Sequence, residues 1–227
     1  MIKENLAQVS RTIADGVRLI AVSKTKPVED LQEAYDAGVR LFGENKALEM
    51  RDKHEVLPKD IEWHFIGHLQ TNKIKYIAGY VSLIHSIDSL NLLQAVNKEA
   101  AKHGRVIDCL LQFHIASEET KFGLDMNEAE ALLSSAEYAE LKNVRIVGVM
   151  GMATNTDDRD LIRREFRTLK GYHTQLAEKY FAGCAEFKEI SMGMSGDYEI
   201  AMQEGSTLVR VGSAIFGARN YNIPVND

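Results

Sequence analysis

The sequence is poor in the residues that build stapled or extended structures. It has 2 cysteines and 3 prolines among 227 residues. Cys109 and Cys184 lie far apart, so they form neither a metal-ligand spacing nor a disulfide framework, and a reducing compartment is expected. With so few prolines and only 16 glycines, collagen-like and low-complexity readings are excluded. No apolar run approaches the roughly 18 residues that a membrane-spanning helix needs. The N-terminal stretch MIKENLAQVSRTIADGV lacks the long apolar core and small-residue cleavage site of a signal peptide. A cytoplasmic protein without a membrane partner is expected. Basic charge is also in short supply: 27 Lys and Arg face 33 Asp and Glu, a net charge of −6. That balance argues against a dedicated nucleic-acid binder, which needs a basic face, but leaves room for a local site for an anionic ligand.

What is present is a regular alternation of short apolar runs and amphipathic stretches. Hydrophobic residues make up 45% of the chain, enough for a core without staples. Ile2, Leu6, Val9 and Ile13 follow a helical stripe closed by Gly16. Apolar, partly β-branched runs at 18–23, 39–43, 61–67, 80–87, 106–115, 144–150, 186–191 and 207–212 read as eight strands. Helical or helix-like sequence follows each one, with Pro27 and Gly38 marking the two ends of the second helix. Continuous rather than alternating apolar strands imply burial on both faces, as in a parallel sheet. Eight βα units averaging about 28 residues, with no glycine-rich dinucleotide fingerprint after the first strand, favour a single (β/α)8 TIM barrel over a doubly wound open sheet. No linker or composition shift divides the chain, so residues 1–227 are assigned to one domain.

A barrel gathers its chemistry at the C-terminal ends of its strands. There the sequence places Ser23–Lys24–Thr25–Lys26 after the first strand and Glu44–Asn45 after the second. It places Ser191–Met192–Gly193–Met194–Ser195–Gly196 after the seventh and Gly212–Ser213 after the eighth. The last two loops supply hydroxyls, close backbone approach and free N–H groups, as a phosphate nest requires. Lys24 is either a solvated strand cap or an amine that condenses with an aldehyde, with a pKa lowered by partial burial and a nearby cation such as Arg210. His64 and His68 fall on a strand end and its loop, without a third ligand, so no metal site is expected. His85 and His114 read more readily as satisfied core histidines than as ligands. A phosphate-ester isomerase or aldolase needs a carboxylate at a strand end; Glu44 and Asp88 are candidates, though both are equally readable as helix N-caps or first-turn acids.

The segments AVSKTKP (21–27), FGEN (42–45), WHFIGHLQTNK (63–73), HSIDS (85–89), KFG (121–123), GVMGMAT (148–154) and SMGMSGDYEIAMQEGSTLVRVGSAIFG (191–217) carry a resemblance over essentially the whole chain. In content and order they resemble the pyridoxal phosphate homeostasis protein family, which is similar to the barrel domain of alanine racemase. The resemblance implies pyridoxal 5'-phosphate as cofactor, held as a Schiff base on Lys24. It implies phosphate contacts from Ser191 and Ser195, a cradle completed by Gly212 and Ser213, and Arg210 facing the pyridine nitrogen. Asn45, Met150 and Met192 are implied as walls beside the ring. One departure stands out: Lys46 follows FGEN, where the family often has an aromatic residue.

The family is regarded as holding and managing the cofactor without established turnover, with apo-enzymes that use it as possible partners. The alternative is a single-domain pyridoxal phosphate-dependent amino-acid racemase. The barrel reading uses the chain to about Gly217 and leaves ten residues, whereas alanine racemase-like proteins use a second domain for acid/base chemistry. On that reading a binding protein, and a monomer, are expected.

Overall fold

A computed structural model describes residues 1–119 and 122–218. Eight parallel strands close into a barrel in sequential order: β1 Arg18–Val22, β2 Leu41–Glu44, β3 Glu62–Phe65, β4 Leu83–Ile87, β5 Ile107–Phe113, β6 Val144–Gly151, β7 Glu189–Met194 and β8 Leu208–Val211. β1 pairs with β8 through Arg18–Leu208 to Ala21–Val211, which closes the sheet and leaves no edge strand. All eight expected strands are present, each shifted by a few residues at most.

The helices are α1 Ile2–Thr12, α2 Val28–Asp36, α3 Ala47–Val56, α4 Leu90–Lys102, α5 Met126–Ser134, α6 Ala136–Ala139, α7 Arg159–Tyr180, α8 Tyr198–Gln203 and α9 Ser213–Phe216. After β3 the expected helix is a 3-10 turn, Thr71–Tyr76. α1 ends at Thr12, and Gly16 takes φ +81 in the loop beyond it. α5 begins with a full capping box between Asp125 and Glu128, and Ser89 caps α4 through the Leu92 N–H.

Side chains alternate in and out along each strand, which builds two cores. Ile20, Val22, Leu41, Leu83, Leu110, Val147, Met150 and Leu208 pack together inside the barrel. Their neighbours Ala21, Phe42, Trp63, Phe65, Ile84, Val209 and Val211 join a second layer between strands and helices. Gly43 keeps the inner layer thin, because a Cβ there would come within 2.8 Å of Ile20 Cγ2. Irregular pairing interrupts β4–β5, β5–β6 and β7–β8, the last between Ser191 and Met194. These bulges reset which residues face inward further along the strands. No helix among the described residues is long and apolar enough to cross a membrane.

Candidate cofactor site

A cavity of about 300 Å³ opens at the C-terminal mouth of the barrel. Lys24, from the turn after β1, and Asn45, from the end of β2, line one side. Ser195 and Gly196 after β7, and Gly212 and Ser213 after β8, line another. Arg210 reaches the cavity from inside β8, and Val22, Ile66, Met152 and Met194 supply the apolar wall. The Gly212 N–H donates to Ser195 Oγ at 3.2 Å, so the two loops meet. A Cβ on Gly212 would press within 3.1 Å of the Val22 carbonyl oxygen, whereas Gly196 faces open space. Larger cavities of about 540 and 550 Å³ open at the opposite end. Charged pairs furnish those walls, among them Arg18–Glu62 and Arg145–Asp108. A parallel barrel does its chemistry at the other end.

Beneath the cavity runs a line of buried polar groups. Arg210 Nη1 donates to Ser191 Oγ (2.6 Å) and the Ser191 carbonyl (3.2 Å), and Nη2 donates to the Gly151 carbonyl (3.1 Å). Ser191 Oγ lies 2.8 Å from His85 Nδ1, and His85 Nε2 lies 2.9 Å from His64 Nδ1. Arg210 donates to Ser191 Oγ, whose hydroxyl keeps a proton and a second lone pair for His85 Nδ1, and between His85 Nε2 and His64 Nδ1 one nitrogen donates and the other accepts. The accepting ring of that pair is neutral, and burial disfavours charge on both. Burial pushes His64 down to about 3 and His85 well below its usual range. Burial also lowers Arg210, to about 10, which leaves it charged at neutral pH. The His85 core reading agrees with these contacts. His114 is satisfied by the Ala116 carbonyl at 2.9 Å.

The cavity brings together Lys24, Asn45, Ser195, Arg210, Gly212 and Ser213 from the expected set. It does not bring in the other three. Ser191 is buried and its hydroxyl is committed to His85 and Arg210, so it meets the cavity only through Arg210. Met150 lies in the inner core below the mouth, where Met152, two residues on, takes the wall position. Met192 faces away from the barrel axis into the outer core, on the opposite face from Ser191. The expected cofactor-binding set leaves out Met152, Ile66, Val22 and Met194, although Met152 and Met194 fall at the strand ends that the sequence places at the mouth; inward parity counted from Ile20 reaches Val22.

Neither candidate carboxylate lines the cavity. Glu44 is fully buried against Lys53, two residues before the α3 N-cap at Lys46, so it is neither a cap nor a first-turn acid. Asp88 is partly exposed, with His68 Nδ1 3.9 Å away, and Ser89 caps the helix that follows. Lys46 lines a separate cavity with His68 and Lys73 that shares Asn45 with the first. Among the described residues no cluster of three His, Cys, Asp or Glu could hold a metal. Lys121, part of the KFG segment, lies outside the described residues.

Comparison with known proteins agrees with this architecture. A family profile described as "Alanine racemase, N-terminal domain" matches residues 1–220. A pyridoxal phosphate homeostasis protein of Aquifex aeolicus is 41% identical over 206 residues, covering 90% of this chain and 88% of its own. The chain belongs to the pyridoxal phosphate homeostasis protein family. Another similar protein is PipY of Synechococcus elongatus, solved both without and with PLP bound. The form with PLP has a TM-score of 0.85 at 33% identity, covering 96% of this chain and all of PipY. Outside the homeostasis family, alanine racemase of Bartonella henselae has the same fold, with a TM-score of 0.72 at 18% identity, covering 98% of this chain and 60% of the racemase.

Proposed function

We propose that this protein binds pyridoxal 5'-phosphate at the C-terminal mouth of its barrel and holds it through the Lys24 amine. Its role is intracellular homeostasis of that cofactor by binding, buffering or transfer to apo-enzymes. The observation that carries the reading is the convergence on one cavity of a lysine, a buried arginine and two serine–glycine loops. When bound, the cofactor supplies an aldehyde that condenses with a primary amine. Its phosphate suits the Ser195–Gly196 and Gly212–Ser213 loops, which offer hydroxyl and backbone donors where side chains are smallest. The cavity volume falls at the small end of the usual range for ligand sites, about 300–1,000 Å³. The family relationship and the PLP-bound PipY support the same ligand.

The residues favour holding over turnover. Arg210 cannot accept a proton; beside a ring nitrogen it disfavours protonation there and weakens the electron sink that racemisation needs. Lys26, the other amine in the wall, is tied to the carbonyls of Phe216, Gly217 and Ala218 at 2.9, 3.3 and 2.8 Å. The test is to incubate the purified protein with pyridoxal phosphate, record its visible spectrum, reduce it with borohydride and map the peptides. A visible band and a reduced adduct on Lys24 are expected. No band, or an adduct on a different residue, overturns the reading.

Arg210→Ala is expected to leave Lys24 able to form the adduct while cofactor retention falls about 10- to 100-fold. That range corresponds to one or two lost charge-assisted contacts. Equilibrium dialysis of the unreduced protein measures it, and retention equal to the parent's would remove Arg210 from the site.

A further inference from the structure

The turn that carries Lys24 is anchored from behind by a buried charge cluster outside the cavity. Lys53, on α3, has a side chain only 6% exposed. Its ammonium has three protons and three acceptors: the Ser23 carbonyl at 2.7 Å, Glu44 Oε1 at 2.6 Å and Glu49 Oε1 at 2.7 Å. Glu49 Oε1 also accepts the Thr25 N–H at 2.6 Å, and Glu44 Oε1 accepts the Ser23 hydroxyl at 2.6 Å. The Ser23 carbonyl belongs to the peptide unit before Lys24, and the Thr25 N–H to the one after it. Both peptide planes flanking Lys24 are thus bonded to one buried cluster.

The backbone shows why such a clamp is needed. Thr25 has φ +61, the one positive φ outside glycine among the described residues. A β-branched residue there costs on the order of 1–2 kcal/mol unless its surroundings enforce the conformation. The cluster carries its own cost. Two carboxylates converge on one ammonium with little water, and burial, opposed by Lys53, pushes Glu44 up to about 7. A hydrophobic packing of this space would avoid that penalty, but it could not bond either peptide plane.

We propose that Lys53 and Glu49 are positioning residues that hold the Ser23–Thr25 turn so that Lys24 presents its amine to the cofactor. Neither residue lines the cavity, and neither is a catalytic residue. The inference rests on the reading of Lys24 as the cofactor-holding amine. It predicts a separation: loss of the clamp slows covalent loading, whereas recognition of ring and phosphate persists.

The experiment compares Glu49→Ala, Glu49→Gln and Lys53→Met with the parent. The loading rate with pyridoxal phosphate is followed by the visible band and by borohydride trapping. Affinity for pyridoxine 5'-phosphate, which has an alcohol in place of the aldehyde, reports recognition without covalent attachment. Glu49→Ala is expected to load at least about 10-fold more slowly, in the range that misplacing a reacting group produces, with pyridoxine phosphate affinity within twofold. Glu49→Gln, which keeps an oxygen for the Thr25 N–H, is expected to recover most of the rate. Lys53→Met is expected to resemble Glu49→Ala. Its thermal melting point is measured in parallel, because burying two carboxylates without their partner also destabilises. Glu49→Ala loading at the parent rate overturns the proposal, as does pyridoxine phosphate affinity falling in step with loading. A trapped adduct away from Lys24 in the parent overturns the underlying reading instead, whatever the Glu49 variants do.

Discussion

Replacing Lys24 with methionine is expected to abolish the borohydride-stable adduct and to lower cofactor retention by about 100-fold or more, roughly 3 kcal/mol. Affinity for pyridoxine 5'-phosphate should stay within about threefold of the parent's. The argument is one of available amines. Among the described residues, the cavity wall offers besides Lys24 only Lys26 and Arg210 as cationic side chains. Lys26 is turned toward three carbonyls at the end of α9, and a guanidinium is not a nucleophilic amine at neutral pH. On the proposed reading the phosphate sits against the loops after β7 and β8, which come from different strands than the side chain at position 24. Mass spectrometry of the reduced protein and calorimetric titration with pyridoxine phosphate read the two quantities separately. An adduct persisting in Lys24→Met would falsify the assignment.

Acid is expected to destabilise the fold from about pH 6.5 downward, well before ordinary carboxylates are protonated. His64 and His85 are buried, and burial, joined at His85 by the charge of Arg210, holds both imidazoles neutral. In the unfolded chain both regain their usual pKa, near 6.5. Below that pH the unfolded state binds more protons than the folded one, so stability falls as pH falls. The contribution of His64 is complete above pH 6.5 and is lost progressively down to its folded value of about 3. At about 1.4 kcal/mol per pKa unit, that is on the order of 3–6 kcal/mol, a large share of a stability typically near 5–15 kcal/mol. His85 shifts in the same direction.

Glu44 acts in the opposite sense. Raised to about 7, it favours the folded state increasingly as pH falls from 7 to its ordinary carboxylate range, and it partly masks the histidines there. Urea titrations at pH 7, 6 and 5 on the parent and on Glu44→Gln separate the two. The variant should lose stability more steeply between pH 6.5 and 5, and His64→Gln should be shallower than the parent. Stability that is flat or rising toward pH 5 in Glu44→Gln contradicts neutral buried histidines.

The sequence by itself determined the barrel and the ends of its strands. Eight apolar runs separated by amphipathic stretches are local patterns, and parallel pairing follows from the crossover lengths. Lys24, Asn45, Ser195, Arg210, Gly212 and Ser213 reach one cavity because each sits at a strand's C-terminal end or points inward just below it, a position legible from the chain alone. Tertiary structure decided which way the residues between them face. Ser191 pairs with Leu208 and turns inward into the polar line, simple alternation turns Met192 outward, and the irregular pairing that follows, between Ser191 and Met194, leaves Met194 in the cavity wall. A strand pattern in sequence shows alternation but not the bulge that resets it. The same limit hid the partners that hold the site in place. His85 meets Ser191 across 106 residues, and Lys53 meets the Ser23 carbonyl across 30. Such pairs are set by barrel closure and by helix packing on the sheet, not by any spacing along the chain. A buried lysine on a helix of low apolar content reads as surface until the strand turn it supports is seen behind it.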